Sequence, residues 1–359
     1  MREKERIDDA PLVPVNKKAG TLLFPFLRAL AASRDLTADE AAEFFRALTS
    51  AEADRAQIAA ALTALAVKGE TGEEIAAMAA AARGQMIKIA ARRTELFDIA
   101  GTGLSAAKTF NASTAAAFVA AGAGLFVAKQ SSRAQSSATG SADVLDALGV
   151  KISAGPRVAQ ANLDGAGICV MFEPKFHPVR RRVDDVRRAL GFRTALDHLG
   201  LLANPAGVSR QLIGVWHPAL LGLLADAVAR LGTSRTWIVR GADGLDELTL
   251  AGETTICEIR GRDKREFRLA PEDFKLARAD ISHLKTDSVS ASAAIIREVL
   301  AGRRRDEARA LVVLNAAAAL LIGGRADNPP HAARLAAQSI DSGQALGKLE
   351  RLVQTTNKK

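Results

Sequence analysis

Between Gly20 and Met86 the apolar positions recur at helical spacing. Leu22, Leu23, Phe26, Leu27 and Leu30 fall at i, i+3, i+4 intervals, which places them on one face of a helix. Two start signals lie in the same stretch. Thr37-Ala-Asp-Glu40 and Thr71-Gly-Glu-Glu74 are capping-box patterns, in which the Thr hydroxyl accepts a backbone N–H and the Glu reaches back to the cap. The segment reads as a small bundle of about four short helices.

After Arg93 short apolar runs alternate with helical stretches. The candidate strands are Leu96 to Ala100, Leu125 to Ala128, Ile168 to Phe172, Leu212 to Val215, Trp237 to Val239 and Thr255 to Ile259. A helix fits between most neighbours, the signature of a parallel or mixed α/β sheet. Ligands of such sheets bind at the carboxyl ends of strands, so the positions after Ile99, Val127 and Val239 are the first candidates. The uncharged run Ala115 to Ala128 is about 14 residues, short of the ~20 that a bilayer span needs. It reads as a buried helix running into a strand. Met1 to Lys18 alternate charges with prolines and hold no apolar stretch of signal-peptide type, so no export or membrane segment is expected.

Composition narrows the partners. With 359 residues the chain is long enough for two domains, or for one large α/β domain with an attachment. Lys plus Arg number 49 against 40 Asp plus Glu, a net charge of +9 that makes phosphates the first partners to consider. Thirteen Phe, two Trp and no Tyr leave little for stacking on single-stranded bases. Cys169 and Cys257 lie far apart without a CxxC context, which argues against a disulfide framework or zinc knuckle and fits a reducing cytoplasm.

Three clusters carry candidate chemistry. In Asp98-Ile-Ala-Gly-Thr-Gly103, followed by Phe110-Asn-Ala-Ser-Thr114, a strand ends at glycines and a helix begins with free amides and hydroxyls, which together suit an anion. In Val127-Ala-Lys-Gln-Ser-Ser-Arg133, with Ser136, Ser137, Thr139, Gly140 and Ser141 behind it, Lys129 and Arg133 stand among hydroxyls as a polyphosphate requires. In Asp243-Gly-Leu-Asp-Glu247 two adjacent carboxylates suit Mg²⁺, which binds through one or two carboxylates plus substrate phosphates. Taken singly, each also has a plainer reading: a helix cap, a solvated serine loop, an acidic surface turn.

In this order the segments resemble the anthranilate phosphoribosyltransferase family, within the nucleoside phosphorylase-like phosphoribosyltransferases. The resemblance runs collinearly from DIAGTG through FNASTAAAFVAAGAG, VAKQSSRAQSSATGSADVLDALGV, FEPKFHPVRRRVDDVRRALGFRT, HLGLLANPAG, IGVWHP and GLDE to APEDFKL and IDSGQALGKLERLV. It implies an α/β fold: a small N-terminal helical domain and a large α/β domain with a mostly parallel sheet, with the active-site cleft at the hinge. The expected boundaries are a charged tail over 1–19, a helical dimerisation domain over 20–90 and the α/β domain over 91–359, with helices near 180–205 packing back on the helical domain. The implied activity is Mg²⁺-dependent transfer of the phosphoribosyl group of PRPP to an aromatic amine, anthranilate by default as in tryptophan biosynthesis, by a homodimer with two Mg²⁺ ions.

By motif, Gly101, Thr102 and Gly103 would begin the PRPP loop. Asn111, Ser113, Thr114 and Ser137 would hold diphosphate, and Ser113, Asp246 and Glu247 the metal. Lys129 and Arg133 would neutralise the leaving group. Ser132, His177 and Arg187 would line the acceptor site, with Arg187 facing the carboxylate. No residue is assigned as nucleophile or general base. Leu104 and Ser105 stand where the family loop carries glycine and aspartate, and Gln130 and Ser132 where it carries histidine and asparagine. With Arg180-Arg-Arg182, Arg187-Arg188 and Arg303-Arg-Arg305, these departures support an alternative: a catalytically degenerate paralogue that binds DNA or RNA through a basic cleft. Asp184, Asp185, Asp306 and Glu307 beside those arginines point instead to solvated helical faces.

Overall fold

The computed structural model describes residues 22–103, 105, 107, 109–134 and 139–358. The tail, Leu104 and Ser137 lie outside them. The chain opens with four helices, α1 (Phe24–Ala31), α2 (Ala38–Thr49), α3 (Arg55–Lys68) and α4 (Gly72–Gln85). Both capping boxes are formed, at Thr37 with Glu40 and at Thr71 with Glu74. Glu74 does more than cap. Its carboxylate, fully buried, accepts from the Leu36 amide at 2.8 Å and from Lys68 Nζ at 2.9 Å, joining the loop after α1 to the ends of α3 and α4.

The sheet strands are β1 (Leu96–Gly101), β2 (Phe126–Ser131), β3 (Ile168–Phe172), β4 (Arg210–Gly214), β5 (Arg235–Gly241), β6 (Thr254–Arg260) and β7 (Asp263–Leu269). Among the described residues they form one sheet in the order β3-β2-β1-β4-β5-β6-β7, parallel from β3 to β5 and antiparallel at β6 and β7. Chain order reverses between β1 and β4, so the crevice for a ligand opens beyond the carboxyl ends of those two strands. The sequence pattern misses β7, whose DKREFRL is mostly exposed. It is an edge strand that carries charge where a buried strand would carry apolar residues. β2 also runs further than its apolar residues suggest. Lys129, Gln130 and Ser131 stay in register with Val170, Met171 and Phe172, so Lys129 sits within a strand and not in the loop after it.

Helices cover the sheet: α5 (Ala112–Gly122), α6 (Ser141–Ala147), α7 (Pro156–Ala166), α11 (Ala219–Leu231), α12 (Val289–Leu300), α13 (Glu307–Ile322), α14 (Pro329–Asp341) and α15 (Gln344–Thr356). Between β3 and β4 the chain leaves the sheet through α8 (Glu173–Phe176), α9 (Arg181–Leu190) and α10 (Leu196–Leu202). Val183, Val186, Leu196 and Leu199 share a buried core with Phe44, Leu48 and Leu62 of the N-terminal helices. This excursion therefore packs on the helical unit and forms one wall of the crevice. Among the described residues no helix is long and apolar enough to cross a membrane, and both cysteines are free and buried.

Replacing Glu74 by alanine leaves Lys68 with Asp35, at 2.6 Å, as its one carboxylate partner and removes the acceptor of the Leu36 and Thr71 amides. Urea unfolding should show a loss of about 2 to 3 kcal/mol, the cost of leaving buried donors without their acceptor; a loss confined to the ~1 kcal/mol of a helix cap would refute a joining role.

Candidate active site

The crevice is floored by the ends of β1 and β2 and by the loop after β5. Gly101, Thr102, Gly103, Asn111, Ser113, Lys129, Ser132, Arg133, Asp246 and Glu247 all line it. The helical wall contributes Arg180, Arg187, Asp197 and Gly200. Two expected members are not on the wall. Thr114 is buried one position further into α5, with its hydroxyl unpartnered. His177 closes the single turn of α8, which turns the ring into the interior with Nε2 unpartnered. Burial and the neighbouring Arg180 hold that imidazole down to about 4, so it is neutral near pH 7.

The acidic pair is fitted tightly against the sheet. Asp246 Oδ2 accepts from the Thr102 hydroxyl at 2.9 Å and from the Gly103 amide at 2.6 Å. Gly103 has φ of +67°, the left-handed region, which lets its N–H turn towards the carboxylate. A Cβ at Gly214, at the end of β4, would overlap the Asp246 carbonyl oxygen, so only glycine lets the loop lie this close. Glu247 caps the start of α5 by accepting from the Ser113 amide at 2.9 Å, which places a carboxylate where the helix dipole is positive. Its other oxygen is buried without a partner. Asp243, in the same acidic run, only closes the turn, accepting from the Leu245 amide and the Thr249 hydroxyl.

Charges are concentrated beneath the crevice. Lys129 is 2% exposed and donates to the Ile99 carbonyl at 2.7 Å. Burial draws its ammonium down from the usual lysine range, while Asp98 and Glu247 act against that shift. Asp98, absent from the sequence candidates, is also buried, and burial raises its carboxyl above the usual range. Its Oδ2 accepts from Asn204 Nδ2 at 2.8 Å and its Oδ1 has no partner. A carboxylate inside an apolar strand was the available signal. Glu247 is pushed up to about 8, first by burial and then by Asp246. Such displaced values gather where a ligand is to supply the missing charge. Among the described residues no cluster of three or more His, Cys, Asp or Glu side chains could hold a metal alone. An adjacent carboxylate pair with an unpartnered buried oxygen fits Mg²⁺ completed by substrate phosphates.

The remaining cations are held in place by carboxylates. Arg133 pairs with Asp143 at 2.6 Å. Arg187 lies 3.4 Å from Asp197 and 3.8 Å from Asp184, and Arg180 is buried against Glu173 and Asp184. Asn111 is steadied from α12, its Oδ1 accepting from the Ser292 hydroxyl at 2.9 Å. Ser105, at the position of the family's aspartate, is buried and donates to the Gly244 carbonyl at 2.7 Å, tying this loop to the acidic one.

The same pairing corrects the nucleic-acid reading. Arg182 bonds the Ala51 carbonyl, Arg188 pairs with Asp185, Arg304 with Asp306, and Arg305 with Asp341. With Arg180 and Arg187 buried in ion pairs, Arg181 and Arg303 are the members of the runs left without a side-chain partner among the described residues.

Residues 93–346 match the family described as "Glycosyl transferase family, a/b domain", and residues 24–86 its helical bundle domain. The anthranilate phosphoribosyltransferase of Chloroflexus aggregans is 46% identical over 328 residues, covering 91% of this chain and 96% of the relative. The chain belongs to the anthranilate phosphoribosyltransferase family. The crystal structure of the enzyme from Thermus thermophilus superposes with a TM-score of 0.87 at 37% identity, covering 93% of this chain and 99% of that one. The Saccharomyces cerevisiae anthranilate phosphoribosyltransferase, solved in complex with PRPP and Mg, does so with a TM-score of 0.85 at 26% identity, covering 93% and 97%.

In this family member the raised Glu247 carboxyl dictates a pH dependence. A carboxyl whose folded pKa exceeds its unfolded value contributes most below the unfolded value, and that contribution is lost as pH rises through the folded one. The metal-free chain should therefore lose stability between about pH 4.5 and 8, with Glu247→Gln losing less over the same window. Urea midpoints measured in EDTA across that range check this; parallel curves for parent and variant would refute it.

Proposed function

We infer that the chain transfers the phosphoribosyl group of PRPP to the amine of anthranilate, with Mg²⁺. One observation carries the reading beyond kinship. The acidic pair, Lys129 and the amide-bearing start of α5 share a crevice with an arginine, Arg187, on the opposite helical wall. That is a polyphosphate half facing a carboxylate half. The yeast relative's complex with PRPP and Mg supports the same ligands here.

The chemistry demands no nucleophile from the protein. As the bond from ribose C1 to diphosphate breaks, the electron pair leaves with the diphosphate and the ribose becomes cationic in character. The anthranilate nitrogen then bonds C1 and gives up a proton. Mg²⁺, when bound, would supply charge to neutralise the leaving diphosphate. We assign two ions, held through Asp246, Glu247 and Ser113. Lys129 and Arg133 oppose the charge that builds on the leaving group, Lys129 from a buried position where electrostatics are strong and Arg133 from the exposed rim. Gly101, Thr102, Gly103 and Asn111 cradle the diphosphate, and Ser137 belongs to the same set by motif. Arg187 and Ser132, both lining the crevice, receive the anthranilate carboxylate and so hold the amine against C1. His177 and Thr114 support this site from behind its wall.

Two further parts of the reading follow. The chain works in a reducing cytoplasm, consistent with its two free buried cysteines. It pairs with a second copy through the helical unit, where Val67 at the end of α3 is 83% exposed and Leu22 39%.

With PRPP, Mg²⁺ and anthranilate, anthranilate fluorescence should fall with time. Glu247→Gln should lower kcat/KM roughly hundredfold, and Arg187→Gln should raise the KM for anthranilate roughly tenfold with little change for PRPP. Calorimetry without detectable PRPP binding would sink the reading; PRPP binding without turnover would assign another acceptor. Light scattering on the parent should report a dimer, and Val67→Glu a monomer.

A further inference from the structure

A second recess of about 460 Å³ is bounded by the turn at Pro271–Leu276 and by α13 and α14. Its size is that of a small-molecule site. Its floor is apolar, made by Phe274, Leu276, Val313 and Ala337, with Pro330 at the rim. Four cations line it: Lys275, Arg305, Arg309 and Arg334. Arg305 and Arg309 share a single carboxylate, Asp341, at 2.8 and 2.9 Å. Lys275 and Arg334 are exposed and have no ion-pair partner among the described residues. The one acidic member of the wall, Asp306, is taken by Arg304 and by the start of α13. The recess is thus positive at its edge and apolar at its base.

Two local features point the same way. Arg309 is 11% exposed, and its Nη1 is buried without an acceptor. Lys275 has φ of +60°, a left-handed backbone that a side-chain-bearing residue rarely adopts, at the position that puts a lysine on the recess.

We propose that this recess binds a small organic anion with one carboxylate and an apolar body. The carboxylate meets Arg305 and Arg334 at the rim, while the apolar body covers the floor. A phosphate would bring its charge to the rim but would leave the floor uncovered. A neutral molecule would leave the cations unanswered.

Occupancy has a route to the crevice. α13 carries Arg309 and Val313 on the recess, and Asn315 two residues on. Asn315 Oδ1 accepts from the Leu248 amide at 2.9 Å and its Nδ2 donates to the Leu248 carbonyl at 3.0 Å. Leu248 follows Glu247 directly, so a shift of α13 moves the acidic pair. This consequence, unlike the binding itself, rests on the metal-holding role assigned to Asp246 and Glu247.

The test uses the full chain, with hexanoate as the probe and hexanamide and inorganic phosphate as controls, by calorimetry. Hexanoate should bind at one site, and both controls at least about tenfold more weakly. Arg305→Gln with Arg334→Gln, both on exposed side chains, should weaken hexanoate at least about tenfold while leaving circular dichroism and basal turnover of anthranilate unchanged. No hexanoate binding up to about 10 mM overturns the proposal. So does binding that survives the double substitution and is displaced by anthranilate, because that places the probe in the crevice. Phosphate binding as tight as hexanoate overturns the apolar part. Hexanoate should also shift the Mg²⁺ concentration that half-saturates turnover in the parent and not in the double variant. Binding without that shift overturns the coupling through α13 and keeps the site; loss of all turnover in the parent condemns the enzymatic reading instead.

Discussion

The structure depends on holding three carboxylates and one ammonium largely out of water at the point where the sheet reverses its order. Asp98, Asp246 and Lys129 are buried there, Glu247 has one oxygen wholly covered beside them, and the acids outnumber the base. Isolated charge in a protein interior is costly, and the fold meets that cost locally. The Gly103 amide and Thr102 hydroxyl serve Asp246, the start of α5 serves Glu247, and Asn204 serves Asp98. What stays unmet, an oxygen on Asp98 and another on Glu247, is what a bound cation and its phosphate partners would satisfy.

Much of the surrounding architecture follows from that demand. Gly214 must lack a side chain so that the acidic loop can lie on β4. α13 crosses beneath the same loop, with Asn315 gripping the Leu248 backbone at both its donor and its acceptor. On the other wall, the excursion from β3 to β4 is fastened to the N-terminal helices by a shared core, and its arginines are held by Asp184 and Asp197. The crevice therefore sets a phosphate-facing floor against a helical wall whose core runs on into β4, β5, β6 and α11. That arrangement suits two substrates that must be brought together and then released.

Particular elements show how far the sequence could be read. The Thr71 and Glu74 spacing announced a helix start, and the structure forms it, but nothing local announced that the same Glu74 would also receive Leu36 and Lys68. β7 escaped because an edge strand need not be apolar. His177 and Thr114 sit within motifs whose neighbours line the crevice, yet their own side chains turn inward, a matter of rotation about one helix turn that spacing does not encode. Asp98 was passed over although it falls inside the candidate strand, because its buried partner, Asn204, is 106 positions away.

The sequence by itself determined the alternation of strands and helices, the glycine-rich strand end before α5, and the collinear motifs that identify the family. These are properties of neighbours along the chain, expressed through periodicity and capping. Only the tertiary structure decided which charges are paired and which are left wanting. Asp185 and Asp306 beside the arginine runs were legible in the sequence, but Arg305 meets Asp341 and Arg182 meets the Ala51 carbonyl only because distant segments arrive there. The four cations of the second recess, scattered between positions 275 and 334, became a group because α13 and α14 fold against one turn. Electrostatic interaction depends on distance and burial, and both are set by which segments meet in space.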